Sequence, residues 1–192
     1  MKYHINKLRP VSWSQISCFE YNHEQWFKRY ILGEKQEENS AMKFGKAIGE
    51  KLASDPSFMP EVPRLPLYEY ELKAKVNKIP LIGYIDAFDL ENNKMLEYKS
   101  GKLWTKEKAE SHGQISMYAL MLYLMYNIRP EELDIKLVWL ETQETGSFET
   151  EFVKGVKPVI FPIKKTMFDI LEMAMRIKKN SKEMEKYLFT RE

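Results

Sequence analysis

The chain has 192 residues, of which 44% are hydrophobic and 13% aromatic, so it holds enough apolar side chains for one core and too many for a disordered chain. Its 30 basic and 28 acidic residues give a formal net charge of +2, which neither indicates nor excludes a polyanionic partner. The single cysteine, Cys18, excludes an internal disulfide framework and a four-cysteine zinc or iron–sulfur site held by this chain alone. No run approaches about 18 apolar residues and no apolar leader segment opens the chain, so we expect a cytoplasmic protein without a membrane partner.

The spacing of apolar residues predicts helix, helix, three strands, helix, a strand hairpin and a final helix, in that order. The first helix begins after Ser12 or Ser14, either of which suits an N-cap, and ends at Gly33. The prolines within 55–66 predict an extended connector. The other helices are predicted at about 41–54, 107–127 and 165–188, and the strands at 67–76, 79–90, 94–99, 134–142 and 148–154.

This order of elements favours a mixed α/β fold, in which helices flank a central sheet. We assign residues 1–192 to a single domain. Its core covers about 12–142, and a C-terminal hairpin and helix occupy 143–192.

Three charged side chains are predicted close together at one end of the hairpin formed by the second and third strands. Because side chains alternate along a strand, Glu97 and Lys99 share one face. Asp86 lies on the preceding strand, on the predicted face of Tyr84 and Phe88. Two carboxylates and an ammonium group therefore converge among mostly apolar neighbours.

Such a cluster is costly to bury unless its charges pair with one another or hold an ion. Carboxylate oxygens are hard ligands that suit Mg²⁺ or Mn²⁺, and a bound divalent cation can neutralise a phosphate and activate a water. Lys99 would then contact the phosphate or orient the water. On the hairpin alone, a cross-strand ion pair on a solvated face is an equal alternative, since acid-x-Lys triplets also occur at 71–73 and 134–136.

Several motifs taken together, in this order and spacing, resemble the signatures of the PD-(D/E)XK nuclease superfamily, nearest to its RecB-type and phage-type exonuclease branch. The resemblance covers about 12–142 of the chain. The motifs that carry it are Ser12-Trp13-Ser14-Gln15-Ile16-Ser17-Cys18-Phe19, Phe27-Lys28-Arg29-Tyr30, Gly83-Tyr84-Ile85-Asp86, Glu97-Tyr98-Lys99 and Gln114-Ile115-Ser116-Met117-Tyr118.

The resemblance implies a restriction-endonuclease-like αβββαβ core, which agrees with the predicted order of elements. It also implies that Asp86, Glu97 and the backbone carbonyl of Tyr98 bind Mg²⁺ or Mn²⁺, and that Lys99 is the catalytic lysine. Gln114 corresponds to the glutamine that helps to hold the site or the DNA.

The resemblance also implies roles for two further positions. Tyr118, one helical turn after the glutamine, takes the place of the family's tyrosine and is a candidate nucleic-acid contact. RecB-type members carry a histidine four residues after a glycine on the second helix, and here Gly49 follows Gly45 at that spacing. Other branches use a glutamate of this helix as a metal ligand, which would be Glu50; the alternative is a solvated helix residue.

The chain departs from many RecB-type members at the positions of their iron–sulfur cluster. Tyr21-Asn22-His23 stands where a Cys-Pro pair is expected, and the C-terminal region has no cysteine. The resemblance therefore implies a nuclease without an iron–sulfur cluster.

Basic and aromatic residues follow the predicted active-site strand directly. Lys102 and Lys106 are candidate phosphate contacts, and Trp104 is a candidate contact to a base or the backbone. The alternative for Trp104 is a ring folded over the sheet edge.

The pattern as a whole predicts a metal-dependent phosphodiesterase, namely a deoxyribonuclease and in type an exonuclease, acting in recombination, repair or phage DNA processing. No Gly-rich phosphate loop ending in Gly-Lys-Ser/Thr is present, so we expect no nucleotide cofactor, and a helicase or recombination partner would have to supply any motor. The alternatives are a non-cleaving nucleic-acid or protein binding module on a nuclease-like fold, and a nuclease acting on RNA.

Overall fold

A mixed sheet of six strands forms the centre of the structure, a computed structural model that describes residues 10–144, 150–152 and 157–191. The strands are β1 Leu67–Val76, β2 Ile79–Asp89, β3 Lys94–Gly101, β4 Asp134–Glu144, β5 Thr150–Phe152 and β6 Val159–Ile163. The helices are α1 Trp13–Tyr21, α2 His23–Trp26, α3 Ser40–Ser54, α4 Lys106–Glu110, α5 Gly113–Tyr126 and α6 Met167–Phe189.

The strand directions follow from the connections. β1, β2 and β3 form an antiparallel meander, and β3 then pairs in parallel with β4. A parallel pair needs a long crossover, and α4 with α5 supplies it. β4 also pairs antiparallel with β6 and, at its end, with β5. This mixed sheet flanked by helices confirms the predicted α/β class and the αβββαβ order of its core.

Each face of the sheet is covered by a different helix. On one face, α5 packs between the sheet and α1 and α6, so the stretch from Ile115 to Leu122 is buried on every side. On the other face, Ile48 and Leu52 of α3 pack against Leu96 and Val138. The candidate site described below lies between these two layers, where β2 and β3 separate.

The first predicted helix is divided into three pieces. α1 ends at Tyr21, the side chain of Asn22 accepts a hydrogen bond from the N–H of Gln25 and so caps α2, and a π-helical turn follows at Phe27–Ile31. Asparagine is a strong N-cap, and its side chain offers the backbone this alternative to a continuous helix. The predicted N-cap at Ser12 is confirmed.

Other boundaries differ from the predictions. The helix predicted at 107–127 is interrupted between α4 and α5. The strand β6 is absent from the prediction because a proline argues against a strand. Pro162 is tolerated here because β6 lies at an edge of the sheet and, among the described strands, pairs only with β4. β5 lies within the strand predicted at 148–154. The remaining residues of that strand, 148–149 and 153–154, lie outside the described residues. The same holds for 145–147 of the predicted turn before it. Within the described part of the chain, no helix has the length and apolar character needed to cross a membrane.

Candidate active site

The sheet opens between β2 and β3, and the predicted charged residues lie beside this opening. The two strands pair only where 87–89 face 94–96. Beyond that point β3 continues along β4, while the start of β2 pairs with Val11. In the opening, a carboxylate oxygen of Asp86 accepts a hydrogen bond from the N–H of Tyr98 at 2.7 Å. The side chain of Asp86 thus replaces a strand-to-strand hydrogen bond.

Asp86 is not placed by simple alternation along β2. Ile85 and Phe88 are three residues apart yet pack in the same core against α5, while Ala87 packs in the core beneath α3. Tyr84 is exposed on the face opposite Phe88. The prediction that Asp86 shares one face with Tyr84 and Phe88 is therefore wrong, because the alternation shifts by one residue beside Asp86. Irregularities of this kind redirect single side chains next to active sites.

Glu97 and Lys99 share a face of β3, as alternation predicts, and begin a chain of hydrogen bonds into α5. The ammonium of Lys99 lies 2.6 Å from Oε1 of Glu97 and donates to Oε1 of Gln114 at 3.0 Å. The side-chain amide of Gln114 donates in turn to the hydroxyl of Tyr118 at 2.7 Å. Helix α5 thereby fixes the position of the lysine head group.

Glu97 is the most deeply buried charge of this cluster, with only 1% of its surface exposed. Its second carboxylate oxygen, Oε2, has no hydrogen-bond partner among the described residues. A buried carboxylate oxygen without a partner is costly in a folded protein, so its presence calls for an explanation such as an ion or a bound water.

The electrostatics of the three charged groups are coupled. Burial raises the pKa of Asp86 well above its usual range, the charge of Glu97 raises it further, and Lys99 opposes both. Burial also raises the pKa of Glu97, against the lowering effect of Lys99. For Lys99, burial acts to lower the pKa, but the carboxylates of Glu97 and Asp86 outweigh it, so its pKa is raised and the amine stays protonated. The cluster thus carries one more negative than positive charge when fully ionised.

This arrangement fits a divalent cation. The donors would be a carboxylate oxygen of Asp86, the unpartnered Oε2 of Glu97 and the carbonyl of Tyr98, which faces the same opening because the N–H and C=O of a strand residue point to the same neighbour. Among the described residues, no group of three or more His, Cys, Asp or Glu side chains is arranged around a metal position. Mg²⁺ is commonly bound by one or two carboxylates and several waters, so two carboxylates suffice for it.

The structure does not bring Glu50 into one ligand group with Asp86 and Glu97 among the described residues. It is exposed on α3 and lines a cavity of about 690 Å³ together with Asp86 and Tyr98. No three-carboxylate group forms with it in the described part of the chain, and its role as a metal ligand stays a prediction.

Tyr118 is inside the protein rather than at its surface. It is 5% exposed, and a Cβ atom added to Gly83 of β2 would lie 2.7 Å from its ring. The glycine of the Gly-Tyr-Ile-Asp motif is therefore required because α5 rests directly on β2 at this point. Instead of the expected nucleic-acid contact, Tyr118 positions Gln114.

A second cleft, of about 490 Å³, begins at Lys99 and is lined by Lys102, Trp104 and Lys108. Trp104 is half-buried, and its ring centroid lies 4.8 Å from that of Trp139. The ammonium of Lys108 lies 4.5 Å from the centroid of the Trp104 ring. The folded-ring alternative for Trp104 therefore describes its position.

Lys102 is exposed at this cleft, whereas Lys106 is 3.7 Å from Glu110 on the surface of α4 and does not line it. Lys108, another of the basic residues that follow the predicted active-site strand, lines the cleft as well.

No family model matches this chain, and no curated protein sequence matches it. Three solved structures share its fold at low sequence identity. A protein from Eubacterium rectale, provisionally assigned as an exonuclease, superimposes with a TM-score of 0.62 at 8% identity, over 94% of this chain and 82% of its own. An alkaline exonuclease from Laribacter hongkongensis gives 0.56 at 13% identity, over 96% and 92%. A phage-related exonuclease from Haemophilus somnus 129PT gives 0.52 at 11% identity, over 85% and 79%. The chain thus has a fold found in exonucleases, as the resemblance implied.

Proposed function

We propose that this protein is a Mg²⁺- or Mn²⁺-dependent DNA nuclease, in type an exonuclease. The observation that carries the proposal is the unpartnered Oε2 of buried Glu97, which lies beside Asp86 and a protonated Lys99 at the opening between β2 and β3. The shared fold with three proteins described as exonucleases supports a reaction of this class.

Each residue of the site has a distinct role in the proposed hydrolysis of a phosphodiester. Asp86, Glu97 and the Tyr98 carbonyl would hold the cation, which when bound lowers the pKa of a coordinated water and neutralises charge on the phosphate. Lys99 keeps its proton and places positive charge where negative charge develops on the phosphoryl oxygens. Gln114 holds the lysine head group in place, and Tyr118 holds Gln114.

The cleft that begins at Lys99 is our proposed path for the nucleic-acid backbone. Lys102 and Lys108 line it, and their ammonium groups suit phosphate oxygens. Trp104 forms its wall and offers only a part of its ring to a base. Lys106 is assigned a peripheral electrostatic role at most, since it pairs with Glu110. We place the protein in the cytoplasm, in DNA recombination, repair or phage DNA processing, with a helicase or recombinase as a compatible partner.

The test is cleavage of end-labelled DNA, single- and double-stranded, and of matched RNA, with Mg²⁺, Mn²⁺ or a chelator present. Lys99→Met should lower the cleavage rate by about a hundredfold or more, because it removes the charge that stabilises the transition state. Lys136→Met is the matched control: Asp134-Ile135-Lys136 repeats the acid-x-Lys pattern on the adjacent strand, with its ion pair at 3.1 Å exposed to solvent.

Three outcomes would contradict the proposal. Unchanged cleavage by the Lys99→Met variant would remove the lysine from the mechanism. Binding of DNA without cleavage in any divalent metal would identify a binding module. Faster cleavage of RNA than of DNA would identify a ribonuclease.

A further inference from the structure

Glu69, on the edge strand β1, faces Asp86 across the strand pair. Tyr68 lies opposite Ala87 and Tyr70 lies opposite Ile85, so the residue between them stands at the level of Asp86. Glu69 has a φ of 47°, in the left-handed region that L-residues other than asparagine and aspartate rarely occupy. The backbone of β1 is therefore irregular at the level of Asp86.

The cavity over Asp86 is lined by Glu69 on the side of β1 and by Lys46, Gly49 and Glu50 on the side of α3. Glu69 lines it on the side of the sheet, and Gly49 lines it on the side of α3, where a Cβ atom would meet nothing within 4 Å. Helix α3 therefore brings no side chain at position 49 toward Asp86. An acidic group can reach the cavity from β1 without steric conflict.

The carboxylate of Glu69 makes no hydrogen bond or ion pair within the described part of the chain. The next outward-facing glutamate of β1, Glu71, pairs with Lys73 and accepts a hydrogen bond from the Tyr84 hydroxyl at 2.9 Å. Glu69 instead lines the cavity that Asp86 and Tyr98 also line.

A third carboxylate beside two buried ones is unfavourable unless positive charge is bound between them. The unpartnered, buried Oε2 of Glu97 is independent of Glu69 and also suits a cation or a water bound to it. Glu69, Asp86 and Glu97 form no three-carboxylate ligand group among the described residues, so we assign Glu69 to a bound water rather than to the ion.

We infer that Glu69 is a positioning residue of the proposed metal site, which accepts a hydrogen bond from a metal-bound water on the side of the sheet, in the place expected for Glu50. This inference rests on the proposed function. It also accounts for a glutamate in a backbone conformation that glycine would adopt more easily.

The test is calorimetric titration of the full chain with Mn²⁺, in the absence of nucleic acid. Glu69→Gln should weaken Mn²⁺ binding by about three- to thirtyfold, because the variant keeps size and backbone but loses the charge. Glu71→Gln, a matched glutamate two residues along the same strand, and Glu50→Gln should each change it by less than twofold. Asp86→Asn should abolish binding.

Glu69→Gly separates the charge from the backbone conformation. The metal-free Glu69→Gly protein should have a higher urea midpoint than Glu69→Gln, because glycine occupies a φ of 47° at little cost. Its Mn²⁺ affinity should be no higher than that of Glu69→Gln.

Two results would overturn the inference. One is Mn²⁺ affinity of the Glu69→Gln protein equal to wild type while Asp86→Asn abolishes binding, which leaves the proposed function intact. The other is a wild type without measurable Mn²⁺ binding, which overturns both.

Discussion

At the scale of single residues, two buried lysines show how their surroundings set their charge. Burial lowers the pKa of Lys165, which donates to the backbone carbonyl of Glu110 at 2.6 Å and has no carboxylate of the described residues in hydrogen-bond contact. The same effect acts on Lys99, but Glu97 and Asp86 reverse it. The acidic pair therefore serves the proposed reaction twice, by holding the cation and by keeping the lysine protonated.

His112 is the clearest case of a buried titratable group outside the ligand set. Its ring lies 5.0 Å from Trp104 and 6.1 Å from Trp13, and its Nδ1 has no partner among the described residues. Burial, assisted by the charges of Lys99 and Lys165, lowers the pKa of His112 to about 4.

The pKa of His112 predicts a pH-dependent stability. Because the pKa is lower in the folded state, the contribution of the neutral ring is present above about pH 6.5 and is lost as pH falls toward 4. His112→Phe keeps an aromatic ring there, so between pH 7.5 and 4 wild type should lose up to about 3 kcal/mol more unfolding free energy than the variant. Urea unfolding at both pH values measures this. Equal pH slopes for wild type and His112→Phe would contradict the prediction.

At the scale of elements, glycines set how closely helices pack. A Cβ atom on Gly113, the first residue of α5, would lie 2.1 Å from the ring of Trp13 in α1. Gly113→Ala should lower the unfolding free energy by about 1–3 kcal/mol, because the buried ring must move. Gly49→Ala is the control within a helix: its Cβ meets nothing within 4 Å, so stability should rise by up to about 1 kcal/mol. Urea midpoints that shift in the same direction would show that packing at Gly113 is not limiting.

Elements with a regular pattern are predictable from the sequence, and the irregular ones are not. The alternation around Glu97 and Lys99 holds because β3 is regular and paired with β4 along its length. The phase shift at Asp86 could not be predicted. It depends on the left-handed backbone of Glu69, whose energy is offset by contacts formed only in the folded chain.

The candidate site was predictable to the same degree. Residue types and spacing placed Asp86, Glu97 and Lys99 on neighbouring strands, and the family resemblance added Gln114 on the following helix. The sequence could not show that α3 leaves the cavity open at Gly49, since this depends on how the helix is seated against the sheet. Long-range packing, unlike local pattern, has no signature in a single sequence.

At the scale of the whole molecule, the site reduces the stability of the metal-free protein. Two carboxylates with raised pKa values, one of them with an unpartnered oxygen, lie beside a single lysine. Functional sites commonly carry such unfavourable terms, which the rest of the fold offsets. Here the offset comes from the two cores on either side of the sheet.

The same argument predicts how metal and pH act on global stability. The pKa of Asp86 is higher in the folded state than in the unfolded state. The contribution of Asp86 to the free energy of unfolding is therefore fully present below the unfolded-state pKa and is lost as pH rises through the folded-state pKa. Asp86→Asn keeps an oxygen that can accept from the N–H of Tyr98 but carries no charge. Without metal at pH 8 it should therefore be more stable than wild type by about 1–3 kcal/mol, with a smaller difference at pH 5.

Mn²⁺ should reverse this order. At about a hundred times its dissociation constant, the cation should raise the melting temperature of wild type by roughly 5–10 °C and leave that of Asp86→Asn unchanged, since only the native site binds it. Thermal scans with Mn²⁺ and with a chelator measure both effects, and Asp134→Asn, an exposed aspartate on β4, should behave as wild type. An equal rise for wild type and Asp86→Asn would place the bound ion elsewhere, because a cation held by Asp86 stabilises the fold only through that carboxylate.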